Sequence, residues 1–196
     1  MNKYIPQNIF KLENLIHLIL GVTFNLIGIW LSYTFILPVR LNCIGTIYAS
    51  CMFGPIGGIL TAIITTLLGC ITNRMFISYL LQTIVIGALC GIFYSKKEHK
   101  IVELVYFSFI LCFIGTPLSA LFNIILHQGH CGNIWGDALF DLLLEKHSPI
   151  LLNSILGEFL VEFPDMMLSV FLVAGCHNLR KRFSSYTITN NKENEI

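Results

Sequence analysis

The sequence predicts an all-α integral membrane protein, a bundle of six transmembrane helices with both termini cytoplasmic and an outer loop and amphipathic helix between the fifth and sixth spans. Three observations predict it. Hydrophobic residues make up 55% of the 196 and charged residues only 12%, where a soluble domain carries roughly 45–50% and about 25%. A chain of this size still exposes roughly a third of its unfolded surface, and so few charges cannot give that surface polar cover. The apolar residues also gather into stretches near 13–36, 41–54, 55–72, 75–95, 101–123 and 149–178, most of them close to the ~20 residues that a helical span needs. Basic residues near span ends favour the cytoplasmic side. With both termini inside, Lys3, Lys11, Lys96, Lys97, Lys100, Arg180, Lys181, Arg182 and Lys192 are cytoplasmic, and only Arg40, Arg74 and Lys146 fall outside.

The first apolar run, Leu15 to Pro38, is too long for the ~7–15-residue core of a secretory signal. The second and third segments are short and are separated by Gly54-Pro55, because proline lacks an amide donor and disfavours helical geometry in the residue before it. The third segment carries Gly57, Thr61, Thr65 and Gly69 at every fourth position, with Gly54, Gly58 and Ala62 on the neighbouring row. Thr83, Gly87 and Gly91 continue this on the fourth. Small residues so spaced let helix backbones approach closely in lipid. Residues 123–148 are too polar to span. Within them Ile134 to Lys146 sets Leu139, Leu142 and Leu143 against Asp137, Asp141 and Glu145 at helical spacing, an amphipathic helix on the outer face. Pro164 stands near the middle of the long sixth segment, where it predicts a kink or tilt. Residues 1–182 therefore form one membrane domain, followed by a cytoplasmic tail, 183–196, expected to be disordered.

Phosphate-loop, dinucleotide, zinc-protease and nucleophile-elbow motifs are absent, so the chain is read as no enzyme, without cofactor or resident metal. A net charge of +1, with its basic residues at loops and ends, gives no stripe for nucleic acid. The seven scattered cysteines read as small buried hydrophobes. His127, His130 and Cys131 could ligate zinc, yet no second matching pair accompanies them. An intramembrane aspartyl protease would need two facing aspartates, and only Asp165 lies in a span.

The polar residues inside or beside the spans carry the functional signal. Glu158, Glu162 and Asp165 share one face of the sixth helix within roughly 60°. Carboxyls at membrane depth face a bundle interior, a cavity or a partner rather than lipid. Such a face could hold a cationic or hydrogen-bonding ligand or a proton, or could pair with a polar group on another helix. Arg40 and Asn42 follow Pro38 at the outer end of the first span, and Asn73 and Arg74 lie at the outer end between the third and fourth. With Trp135 and Asp137 they could line an outward pocket for a small polar molecule, the alternative for each arginine being interfacial snorkelling.

Several stretches together resemble one family. They are Asn25-Leu26-Ile27-Gly28, the run from Leu37-Pro38-Val39-Arg40 through Leu41-Asn42-Cys43-Ile44-Gly45-Thr46, Phe53-Gly54-Pro55-Ile56-Gly57-Gly58 with Asn73 beyond, Gly132-Asn133-Ile134-Trp135-Gly136-Asp137-Ala138, and Glu162-Phe163-Pro164-Asp165. In order, size and orientation the chain is similar to the substrate-specific (S) component of energy-coupling factor (ECF) transporters. The resemblance implies a six-helix bundle in the prokaryotic plasma membrane that binds a vitamin or related small organic micronutrient from outside. Loops one, three and five and the outer halves of the last helices would form the site. It also implies docking on a transmembrane coupling subunit that carries two ATPase subunits, and toppling in the bilayer to release cargo. Two departures stand out. The first span has no alanine for docking, leaving Gly21, Asn25 and Gly28 as the close-approach face. Asn42 and Met166 stand where similar sequences tend to have aspartate and lysine. The expected substrate-binding set is Arg40, Asn42, Asn73, Arg74, Trp135, Asp137 and Glu158. The alternative function is a membrane sensing module acting through a partner protein.

Overall fold

A computed structural model describes the backbone of residues 12–94 and 99–193 and the side chains of residues 14–94 and 99–176. The expected tail, 183–196, and the basic clusters at 96–97 and 180–182 lie outside the described side chains. The elements are α1 (Leu12–Thr34), α2 (Ile44–Thr72), a 3₁₀ turn (Arg74–Tyr79), α3 (Leu80–Phe93), α4 (Ile101–His127), α5 (Ile134–Glu145) and α6 (Ile150–Glu193). Among the described residues five helical tracts are long and apolar enough to cross a membrane: Asn14–Thr34, Ile44–Thr72, Arg74–Phe93, Ile101–His127 and Ile150–Cys176.

α2 is a hairpin rather than a rod. Gly54, at φ 72° and ψ −164°, breaks its helical geometry immediately before Pro55, a conformation that glycine alone adopts readily. The fold-back follows from Asn25 on α1. Its Nδ2 donates to Thr46 Oγ1 at 3.0 Å and to Thr65 Oγ1 at 3.1 Å. Nineteen residues apart on a straight helix, those threonines would be about 28 Å from each other. The arms 44–53 and 55–72 therefore run antiparallel, and the boundary expected at Gly54-Pro55 is where the chain turns.

The arm 44–53 is only about 15 Å long, half the ~30 Å apolar thickness of a bilayer. The second segment expected over 41–54 is thus not a helical span in itself. Before it, residues 35–43 leave the end of α1 and return into the bundle as non-helical chain, with Arg40, Leu41, Asn42 and Cys43 all buried. Leu41 has a positive φ of 55° there. Irregular backbone at membrane depth is tolerated only where protein surrounds it, and here protein does.

Glycines set the crossings that enclose this segment. A Cβ on Gly28 would lie 2.1 Å from Leu41 O, and one on Gly45 would lie 1.7 Å from Gly21 O. Gly58 meets Gly87, and Gly91 meets Gly54 and Pro55, in the same manner. These contacts correct one expectation. Gly21, Asn25 and Gly28 face inward, with Asn25 accepting from Gly45 N at 2.6 Å, so this face of α1 is used within the chain and is closed to a docking partner.

At one end of the bundle, the base, His17 meets Tyr48 and Phe53, Gly91 meets the α2 turn, and Tyr94 donates to Val170 O at 3.2 Å. The other end, the mouth, carries segment 35–43, the 128–133 turn and α5. Helix α5 begins where the amphipathic pattern places it and is capped by Asn133 Oδ1, which accepts from Trp135 N at 3.1 Å. Its buried face differs from the expected Leu139, Leu142 and Leu143. Gly136 and Phe140 are buried against α6, with Gly136 on Gly157, and Leu142 is half exposed. α6 is helical on both sides of Pro164, so the proline there does not end the helix.

Candidate functional site

The inward return of residues 35–43 carries Arg40 into the bundle, where three carboxyls of α6 face it. Arg40 Nη2 lies 2.6 Å from Glu158 Oε1, and Nη1 lies 3.6 Å from Glu162 Oε2. The guanidinium also stands over the Tyr79 ring, 4.3 Å from its centroid, a favourable cation–π placement. Burial would by itself weaken the protonation of Arg40, but the Glu158 carboxylate, with smaller contributions from Tyr79 and Glu162, more than offsets this and holds it well above the usual arginine value. Arg40 is a fixed cation, and the snorkelling alternative does not describe it.

Amides and hydroxyls complete the cluster. Asn123 Nδ2 donates to Glu158 Oε2 and to Tyr79 Oη, both at 3.3 Å. Tyr79 Oη donates to the carbonyl of Cys131 and lies 3.4 Å from Glu158 Oε2. Gln82 Nε2 donates to Glu162 Oε1 at 2.6 Å. Asp165 Oδ1 accepts from Leu41 N at 3.1 Å and from Ser169 Oγ at 3.4 Å. The 3₁₀ turn, α3, α4 and α6 thus converge on one buried segment.

Above Arg40 lies a cavity of about 100 Å³ lined by Ser32, Tyr33, Ile36, Leu37 and Arg40 on one side and by residues 132–135 on the other. Two hydrogen bonds strap its walls together. Trp135 Nε1 donates to Ile36 O at 2.9 Å, and Asn133 Nδ2 donates to Leu37 O at 3.1 Å. Cys131, beside them, is buried, and its thiol is pushed well above the usual range by burial first and by Glu158 second.

The expected site residues divide by position. Arg40 and Glu158 touch, and Trp135 lines the cavity that Arg40 floors. Asn42 is buried in the returning segment, with its Oδ1 3.4 Å from Cys43 Sγ, and does not line that cavity. Asp137 folds the loop before α5, accepting from Cys131 N at 2.6 Å and Gly132 N at 3.3 Å. Asn73 caps the 3₁₀ turn and donates to Tyr33 Oη at 3.3 Å. It borders a separate lateral groove of about 490 Å³ with Leu26, Ile29, Trp30 and Gly69. Arg74 is exposed, and its side chain makes no hydrogen bond or ion pair among the described residues. His130 Nε2 lies 3.1 Å from Asp141 Oδ1, and no cluster suited to a metal ion occurs among the described residues.

Tyr79, Gln82 and Asn123 were not in the expected set. Their signal was present, since Gln82 and Asn123 are the sole side-chain amides between Arg74 and His127, and an amide in an apolar span seeks a polar partner. The fold and its buried polar centre define a multi-pass helical membrane protein. Comparison with protein-family models, curated proteins and solved structures finds no match to this chain.

Proposed function

We propose that this chain is the substrate-binding subunit of an energy-coupled, ECF-type uptake transporter in a prokaryotic plasma membrane, with a vitamin-like or related small organic micronutrient as its substrate. The observation that carries the reading is the Arg40–Glu158 pair lying beneath a strapped cavity at the mouth. A few charged and hydrogen-bonding groups at the bottom of an apolar-walled opening are the usual means of orienting a small polar ligand. In this reading the mouth faces outward, and Glu158 orients a donor or cation on the substrate while Arg40 meets an acceptor. A cavity of about 100 Å³ is smaller than the ~300–1,000 Å³ of ordinary ligand sites, so uptake requires segment 35–43 to swing away from Trp135 and Asn133. A transmembrane coupling subunit and two ATPase subunits would supply the energy.

The test is purification from native membranes in mild detergent, followed by mass spectrometry of retained small molecules and of accompanying proteins. Co-isolation with a coupling subunit and two ATPases is expected, together with a retained micronutrient that is lost in Arg40→Ala and Glu158→Ala. Co-isolation with a kinase or transcriptional regulator instead would overturn transport in favour of sensing.

A further inference from the structure

Three carboxyls and one cation share the interior of this bundle. Glu158, Glu162 and Asp165 are each at most 1% exposed, and Arg40 is the basic side chain that reaches them among the described residues. Three carboxylates against one guanidinium would leave two negative charges uncompensated. Isolated charges this deep cost far more than a neutral hydrogen bond returns.

The hydrogen bonding points the same way. Gln82 aims its amide at Glu162, and its own Oε1 is buried without a donor. Asp165 receives both of its donors on Oδ1, while Oδ2 is buried with none. Asp165 Oδ2 and Gln82 Oε1 thus lack donors, and the donors left over in the cluster, Arg40 Nε and Nη1, make no hydrogen bond to either. A bound proton supplies a donor and cancels a charge together, and it needs no room. A metal ion would need a cage, which the described residues do not form, and neither Glu162 nor Asp165 lines the cavity beneath the strap.

We propose that Glu162 and Asp165 form a buried proton-binding site, each carrying a proton while segment 35–43 is seated against them, and that unseating this segment releases protons. The titratable and charged groups facing the pair are Arg40 and Cys43 from the segment and its junction with α2, Cys112 from α4 and Glu158 from α6 itself, with Tyr79 of the 3₁₀ turn against Arg40 and Glu158. Thiols and phenol are ordinarily neutral near pH 7, so the local charge is that of the Arg40–Glu158 pair, which sums to zero. When the segment lifts, Leu41 N leaves Asp165 and water reaches both acids, which then ionise. The seated form holds more protons, so lower pH favours it and higher pH favours the open mouth. Glu162 also serves as a reserve partner for Arg40 should Glu158 be neutralised, since Nη1 already lies 3.6 Å from it.

Infrared spectroscopy of the full-length protein in detergent tests this without any ligand. Near pH 7 the wild type is expected to show carbonyl stretches of protonated carboxyls that shift in heavy water. One should vanish in Glu162→Gln and another in Asp165→Asn. Glu158→Gln should also lose one, as Glu162 ionises to pair with Arg40. Absence of protonated-carboxyl absorption in the wild type at neutral pH would overturn the site, and that reading requires no variant to fold. Raising the pH should abolish the bands, and at a lower pH in Trp135→Phe, whose strap is weaker, than in the wild type. Equal midpoints would overturn the coupling to the segment.

Discussion

Arg40 shows what a single side chain contributes at the residue scale. Its guanidinium is held by Glu158, Glu162 and the Tyr79 face, so truncation strands the buried Glu158 carboxylate rather than deleting one favourable contact. Breaking a buried ion pair costs about 3–5 kcal/mol, whereas exchanging both partners for apolar residues is often neutral. Arg40→Met is therefore expected to lower stability by about 3 kcal/mol in chemical denaturation in detergent, and Arg40→Met with Glu158→Leu to recover most of that loss. A double variant no more stable than the single would show that the pair itself is not the source of the effect. The sequence made Arg40 and Glu158 visible, because charges beside or within apolar tracts stand out. It did not reveal that they meet across 118 positions, since three acids on one helical face offer an arginine equivalent partners. Nor did it separate Asp137, which caps a loop, from residues lining a cavity: the same carboxylate suits either role, and only the directions of Cys131 N and Gly132 N decide.

Segment 35–43 is the element on which the mouth depends. It is tied above by Trp135 and Asn133 and below by Arg40 and Leu41. One intramolecular hydrogen bond contributes about 1 kcal/mol net, roughly a fivefold change in an opening equilibrium. Trp135→Phe is expected to raise the labelling rate of Cys131 by a hydrophilic thiol reagent about fivefold, read by peptide mass spectrometry. Because burial keeps that thiol protonated at neutral and mildly alkaline pH, labelling counts openings rather than reaction in the closed form. An unchanged rate would mean that the strap does not cover Cys131. Of the α2 hairpin that follows this segment the sequence announced only the Gly54-Pro55 break. The 29 residues of α2 have the same apolarity whether straight or folded, and the reversal rests on Asn25 reaching two threonines at once, a long-range match that periodicity cannot show.

At the scale of the whole molecule the base gathers the start of α1, the α2 turn, the end of α3 and the lower part of α6. The chain therefore enters and leaves its apolar region at one end. Tags fused to the two termini are expected to be accessible from the same face of the membrane, the cytoplasmic one by the bias of the basic residues, in protease-protection assays on sealed vesicles. Tags on opposite faces would refute that arrangement. Composition was enough to identify the solvent of this fold, since few charges leave lipid as the alternative; packing was not legible, because glycines that pair within the chain and glycines that meet a partner look alike in sequence. The half-length arm 44–53 carries a further consequence for synthesis. A helix of about 15 Å cannot hold a transmembrane position alone, so it must enter the bilayer together with 55–72, and Arg40 and Asn42 wait near the surface while the remainder is made. Glu158 emerges more than a hundred residues later. The mouth is thus completed last, and a nascent chain interrupted before α6 would present an unpartnered arginine and irregular backbone to quality-control proteases.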